Sequence, residues 1–156
     1  MGSKMALALG IALWASSGAL AMDLERRSFV ICKEPGRYIG WPSIARTRSG
    51  NILVVFSGDR EAHVCPFGKT QIVWSRDGGK TWSKPETIND CPIDDRDCGA
   101  LVTSKGTIIV TWFTSLAFEQ YGSLRKKCEG PWRDFIAKIT DEDRRRWHGN
   151  WCLRST

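Results

Sequence analysis

The sequence predicts an all-β chain in which one small antiparallel sheet follows another. Three observations carry that prediction. Short runs rich in β-branched and aromatic residues recur from Ile39 onward, and each ends at a turn marked by glycine. The alternation of runs and turns restarts near Gly99, so a second sheet unit follows the first. The chain has 156 residues, one domain's worth, so both units belong to one fold.

The first strand spans Ile39 to Thr47 (IGWPSIART), where Pro42 is tolerable only near an edge or a bulge. Ser49-Gly50-Asn51 turns the chain. Ile52 to Phe56 (ILVVF) is the second strand and Thr70 to Ser75 (TQIVWS) the third. Arg76 to Lys80 reverses direction through Gly78 and Gly79, and Trp82 to Ile88 forms a weaker fourth strand. Gly99 to Thr103 opens the next unit, and Lys105-Gly106 turns into Thr107 to Phe113 (TIIVTWF), apolar enough for burial on both faces. Thr114 to Pro131 reads as irregular. Thr140-Asp141-Glu142-Asp143 starts a short helix that runs to about Trp147, with Thr140 able to cap it and acids suited to its first turn. Gly149 to Ser155 is the following strand.

The N-terminus precedes this pattern and differs from it. Lys4 supplies a positive start, Met5 to Ala15 is apolar, and Ala19-Leu20-Ala21 offers the small-x-small site of a signal peptidase. A membrane span needs about 20 apolar residues, more than this run provides. Residues 1–21 therefore read as a signal peptide, with an uncleaved anchor as the competing reading. The mature chain is expected to be secreted or periplasmic, with no membrane segment after cleavage. Six cysteines behind a signal peptide are compatible with disulfides, and the sequence does not choose among their pairings. No C-x-x-C pair is present, which disfavours a zinc ribbon, and no metal site is expected. Lys and Arg number 23 against 17 Asp and Glu, a net charge of +6 that points weakly to anionic partners. No basic stripe is interleaved with aromatics, so nucleic acid is not an expected partner.

The most informative segment is Ser75-Arg76-Asp77-Gly78-Gly79-Lys80-Thr81-Trp82, which fits S-x-D-x-G-x-T-W. An Asp early in a turn can accept hydrogen bonds from backbone N–H groups a few residues on. The glycines supply backbone angles closed to other residues. Trp82 can fold back to fill the gap between neighbouring sheets, where its large apolar area stabilises the hairpin end. Ser75, Asp77, Gly79, Thr81 and Trp82 thus form one structural unit. The competing reading is an ordinary Asp-Gly-Gly hairpin.

This segment is the Asp-box motif, and residues 37–113 resemble the opening blades of the sialidase (neuraminidase) superfamily. The box and the stretch IGWPSIARTRSGNILVVFSGDR carry the likeness. It is nearest to secreted bacterial exo-α-sialidase-like proteins. The resemblance implies a six-bladed β-propeller, of which the chain would supply the N-terminal one and a half to two blades, with a short helix in an inter-strand insertion. Leu153-Arg154-Ser155-Thr156 looks like a strand end entering a second box, so the chain is expected to stop in mid-motif. The expected division is a signal peptide at 1–21, a lead-in at 22–36 and an incomplete propeller domain at 37–156.

Alternating strand direction sorts the loops of a blade onto two faces. Arg48-Ser49-Gly50, the Asp box and Ser104-Lys105-Gly106 share one face, and all are tight turns. Ser57 to Lys69, Asn89 to Asp97 and the insertion 114–149 share the other, and these are long and rich in ionisable residues. Function favours long loops on a rigid scaffold. Arg37, Arg60, Arg96 and Asp97 are the expected substrate contacts there, since Arg can clamp a carboxylate through two parallel hydrogen bonds. Asp59, His63 and Asp95 are the candidates for proton transfer at a glycosidic bond.

The family binds the sialic acid carboxylate with three Arg, uses an Asp as acid/base and a Tyr–Glu pair as nucleophile. Where its first Arg stands in an Arg-Ile-Pro segment, this sequence reads Gly40-Trp41-Pro42, with Arg37 nearby. Arg60 matches the Arg that ends the second strand. The residues after it, Glu61-Ala62-His63-Val64-Cys65, contain no Asp. The remaining family residues belong to later blades. The expectation is an exo-glycoside hydrolase acting on terminal acidic sugars of glycans, without an organic cofactor and of unspecified oligomeric state. The alternative is a non-catalytic Asp-box propeller that binds glycan or protein.

Overall fold

A computed structural model of the chain describes residues 28–124 and 130–155. The leader assigned to residues 1–21, the first part of the lead-in and Cys128 lie outside the described residues.

The described chain is mostly β, in two antiparallel sheets. The first consists of β1 (Tyr38–Arg46), β2 (Ile52–Arg60), β3 (Lys69–Ser75) and β4 (Glu86–Asn89), neighbours in that order. The second consists of β5 (Asp94–Val102), β6 (Ile108–Ser115) and β7 (Asn150–Arg154), again in order. Short helices α1 (Ala117–Leu124), α2 (Pro131–Ile136) and α3 (Asp141–Trp147) lie between β6 and β7.

The apolar run of β2 explains why the first sheet is covered on both faces. Leu53 and Val55 point toward the second sheet and pack with Ile72, Cys98, Val110 and Trp112. Val54 and Phe56 point the other way and pack with Val73, Trp82 and the lead-in residues Ile31 and Cys32. Strand side chains alternate between faces, so only a run without polar interruptions can feed both cores. Each such side chain contributes about 1.5–3 kcal/mol on full burial. Trp82 therefore covers the face turned away from the second sheet, where the sequence placed it between the sheets. The lead-in supplies the other wall of its niche.

β6 is buried on one face only, contrary to its expected burial on both. Val110, Trp112 and Thr114 are buried, while Thr111 is exposed. Leu101, beside it on β5, is 57% exposed. Only one face of the second sheet packs against the first, and among the described residues its other face is open.

Two strands are longer than their apolar content suggested. β2 continues through Asp59 and Arg60, and β5 begins at Asp94. The added residues are polar, and mutual pairing rather than hydrophobicity admits them to the sheets. β4 starts later than expected, after the Asp box and Pro85. Pro42 sits where the β1–β2 register slips between Gly40 and Ser43, on a strand at the end of its sheet.

The stretch after β6, expected to be irregular, contains α1 and α2. Phe118 of α1 and Trp132 of α2 are buried, and Pro131 opens α2 at a position that suits its missing N–H. These helices are too short to display a readable period. α3 forms as its cap predicted: Asp143 N–H donates to Thr140 Oγ1 at 3.0 Å, and Thr140 N–H donates to Asp143 Oδ2 at 2.9 Å. The five described cysteines, Cys32, Cys65, Cys91, Cys98 and Cys152, are free thiols. Burial pushes the thiols of Cys91 and Cys98 up to about 12.

Candidate anion-binding site

The two ends of the sheets differ sharply. At one end the tight turns meet: Arg48 Nη1 donates to the Ser104 carbonyl at 3.1 Å, joining the β1–β2 and β5–β6 turns. The Asp box lies at this end as a closed network. Asp77 Oδ1 accepts from Ser75 Oγ at 2.8 Å and from the N–H groups of Lys80 and Thr81 at 3.0 and 2.9 Å. Its Oδ2 accepts from Thr81 Oγ1 at 2.6 Å. Gly79 N–H donates to Ser75 Oγ at 2.8 Å, and Trp82 Nε1 returns to the Gly79 carbonyl at 3.1 Å. Gly78 and Gly79 have φ of 75° and 92°, a region other residues rarely adopt. The Thr81 hydroxyl first, then its backbone N–H, holds the Asp77 carboxyl well below the usual carboxylate range.

The long loops gather at the opposite end. Three non-glycine residues have positive φ among the described residues, and all belong here: Trp41 at 55°, Asp59 at 53° and Asp97 at 48°. Trp41 and Asp97 coincide with register slips in β1–β2 and β5–β6. Bulges re-aim side chains, and strained backbone of this kind concentrates at functional sites.

Arg60 and Asp94 form the buried centre of this end. Both side chains are fully buried. Arg60 Nη1 and Nη2 reach the two Asp94 oxygens at 2.5 and 2.9 Å, a bidentate pair. Ser57 Oγ and the carbonyls of Asp95, His63 and Ala62 take the remaining donor positions at 2.8, 3.0, 2.8 and 3.4 Å. Gly68 lies flat on the pair, because a Cβ there would stand 2.1 Å from both Arg60 Nη1 and Asp94 Oδ1. Burial is the largest influence on the Asp94 carboxyl and pushes it up to about 6, opposed by Arg60. Arg60, expected to clamp a substrate anion, is fully buried with its donors engaged inside the protein.

Asp95, expected as a proton-transfer candidate, is likewise engaged inside the protein. Its carboxylate is fully buried and points toward β3 and β4. Oδ2 accepts from Asn89 Nδ2 at 2.7 Å and from Thr70 N–H at 3.3 Å, and Oδ1 accepts from Cys91 Sγ at 3.1 Å. Burial raises its pKa. Consecutive strand residues point to opposite faces, so Asp94 and Asp95 brace two different places. A carboxylate so placed ties β5 to β3 and β4.

Arg96 is in a different state. It is 9% exposed, and its Nε is buried without a hydrogen-bond partner. Its guanidinium lies over the Trp41 ring, 4.9 Å from Cζ to the centre, and 6.0 Å from the Phe113 ring centre. Its polar neighbour is His63 Nε2, 3.5 Å from Nη2. His63 is exposed, with Nδ1 3.4 Å from Tyr38 Oη and its ring 5.1 Å from that of Trp41. A buried guanidinium with aromatic neighbours and one unpartnered N–H has hydrogen-bonding capacity left to offer. Trp41 follows Gly40, the position where the resemblance placed an Arg, and it holds two arginines against its ring.

The other expected contacts lie nearby. Asp59 pairs with Arg37 Nε at 3.2 Å and with Lys69 Nζ at 3.0 Å, and Lys69 also reaches Asp90 at 3.2 Å. Asp59 holds the Lys69 ammonium above its usual range. These residues line a cavity of about 370 Å³ with Glu61, Phe67 and Phe135. Asp97 is exposed on the rim of a separate groove of about 330 Å³ beside Phe113 and Trp151. Sequence reasoning gave no individual role to Trp41, Asp94 or Lys69, although it put Asp94 and Lys69 in the loops of this end. The Gly-Trp-Pro triplet was the one available signal, since an aromatic between two backbone punctuators invites a bulge. Among the described residues, no group of three or more His, Cys, Asp or Glu gathers as a metal site.

These features define a mostly β protein of two consecutive antiparallel sheets, with buried and exposed charged side chains gathered at the long-loop end. No family model and no curated protein matches the chain. Among solved structures it is similar to a protein of unknown function from Dyadobacter fermentans DSM 18053, with 17% identity and a TM-score of 0.43. That match covers 53% of this chain and 21% of the other, so the chain spans about a fifth of its length.

Proposed function

We propose that the two sheets are consecutive blades of a sialidase-like β-propeller. In this reading its long-loop end holds a terminal acidic sugar of a glycan, and the whole protein is an exo-glycoside hydrolase. The observation that carries the reading is the unfilled Arg96 guanidinium, stacked on Trp41 and all but one-tenth buried. A sugar carboxylate seated there completes the hydrogen bonding that the protein leaves open. The aromatic wall of Tyr38, Trp41 and His63 suits the apolar face of a pyranose ring. Two further features support the propeller: the closed Asp-box network, and the passage from the last strand of one sheet to a β5 that packs beside β1. His63 is the exposed group beside Arg96 and takes the proton-transfer role in this reading.

One observation favours the second reading, a propeller that binds glycans without cleaving them. Asp95 is buried and fully bonded, and Asp59 is held in two ion pairs, so His63 is the accessible member of the three proton-transfer candidates. Calorimetric titration with N-acetylneuraminic acid and release of a fluorogenic sialoside separate the readings. Binding that Arg96→Ala abolishes, together with release, supports the hydrolase. Binding without release supports the second reading. Absence of binding to any acidic sugar tested overturns both.

A further inference from the structure

The loop between β2 and β3 carries His63, and it is held from three sides. Arg60 takes the carbonyls of Ala62 and His63 from below, at 3.4 and 2.8 Å. Cys65 Sγ accepts the N–H groups of Glu61 and Phe67 from within, at 3.3 and 3.5 Å. The third hold comes from far along the chain. Trp132 of α2 is 6% exposed, and its Nε1 donates to Glu61 Oε2 at 2.6 Å. The Phe67 ring, at the other end of the loop, meets Trp132 edge-on at 6.1 Å and Phe135 at 4.9 Å. Helix α2 thus grips both ends of the segment that presents His63 to Arg96.

We infer that Trp132 is a positioning residue of the site: through Glu61 and Phe67 it fixes the loop 61–67 and so the place of His63 beside Arg96. This rests on the anion-site reading for its functional meaning, but the mechanical link stands on its own contacts. A buried indole N–H needs a partner, and a charged carboxylate is the stronger kind. Helix α2 then supports the site from outside the two sheets.

Hydrogen exchange of backbone amides tests the link without any ligand. Trp132→Phe keeps a ring against Phe67 and removes the donor. The amides of residues 61–67 should exchange roughly tenfold faster or more, the scale of one lost charge-assisted hydrogen bond. The strands β2, β3 and β6 should be unchanged. Glu61→Ala should reproduce the effect, and Glu61→Gln should restore most of the protection, because its amide oxygen still accepts. Unchanged exchange in the loop overturns the inference. So does acceleration spread evenly over both sheets, which marks a general loss of packing. Titration of N-acetylneuraminic acid into the same variants separates the two layers. A loosened loop with weaker binding supports both. A loosened loop in a protein that never binds the sugar keeps the positioning role and removes the acidic-sugar reading.

Discussion

The Arg96 guanidinium lies over the Trp41 indole with Cζ 4.9 Å from the ring centre, and Arg60 reaches the same ring at 5.1 Å. One aromatic side chain thus serves two cations with different tasks. Arg60 is bound bidentately to Asp94 and saturated by carbonyls. Arg96 keeps a buried Nε with no partner. The difference between a saturated arginine and one with an open donor lies in what the surrounding groups offer each.

Removing Arg96 is expected to act on binding. Arg96→Ala deletes charge-assisted donors worth about 1.5–3 kcal/mol, so affinity for an acidic sugar should fall roughly ten- to a hundredfold. The melt should shift little, since the stacking on Trp41 contributes only about 0.5–2 kcal/mol and no carboxylate is left unpaired. Calorimetric titration and thermal denaturation of the same sample check both halves. A large stability loss with unchanged affinity would reassign Arg96 to the core.

Removing Arg60 is expected to act on stability. Arg60→Ala strands the fully buried Asp94 carboxylate, at a cost of about 3–5 kcal/mol. Urea denaturation should show a lower midpoint. Replacing both partners by apolar residues of similar volume should recover much of the loss. An unchanged midpoint in the single variant would mean that the pair is not desolvated in solution.

Gly68→Ala probes the same pair by crowding. The added methyl carbon would stand 2.1 Å from Arg60 Nη1 and Asp94 Oδ1 and 2.8 Å from the Asp95 carbonyl. Two of these neighbours are locked by hydrogen bonds and the third is backbone, so they cannot step aside cheaply. A cost of about 1–3 kcal/mol is expected, read as a lower denaturation midpoint. Wild-type stability in this variant would show that the loop rides freely above the pair.

Two carboxyls should divide the acid range between them. Asp77 has its pKa lowered in the fold, so its contribution is present above 3.8 and is lost as pH falls through that value toward the folded pKa. Asp94 has its pKa raised, so its contribution is largest below 3.8 and is lost as pH rises from 3.8 through about 6. Stability against pH should therefore rise on leaving strong acid and then decline before neutrality. Asp77→Asn should reduce the first slope, to which Asp143 also contributes, and leave the second, to which Asp95 also contributes. Chemical shifts of isotope-labelled Asp carboxyls report the two titrations directly. An Asp77 that titrates at 3.8 would mean that the box does not hold its carboxylate.

Much of the fold was legible because its signals are local. The Asp box closes within eight positions, from Ser75 to Trp82, and its donors and acceptors are all in that stretch. The Thr140–Asp143 cap closes within one helical turn. The run ILVVF announces a strand, and β2 forms over it, feeding cores on both of its faces. α1 and α2 were not legible, since each is short and takes its apolar partners from distant segments.

The amino-acid sequence by itself determined the turns, the cap, the order of the strands and the end of the sheets at which ionisable residues collect. The division of labour among those residues was decided only by the tertiary structure. Arg60 and Arg96 look alike in sequence, each preceded by Asp and near a strand end. Asp94, 34 positions from Arg60, fills one guanidinium, while Trp41 and Phe113 face the other with π surfaces that accept no second hydrogen bond. The physical reason is range. Backbone turns satisfy their polar groups from immediate neighbours, whereas a buried cation takes whichever partner the packing of two sheets brings to it.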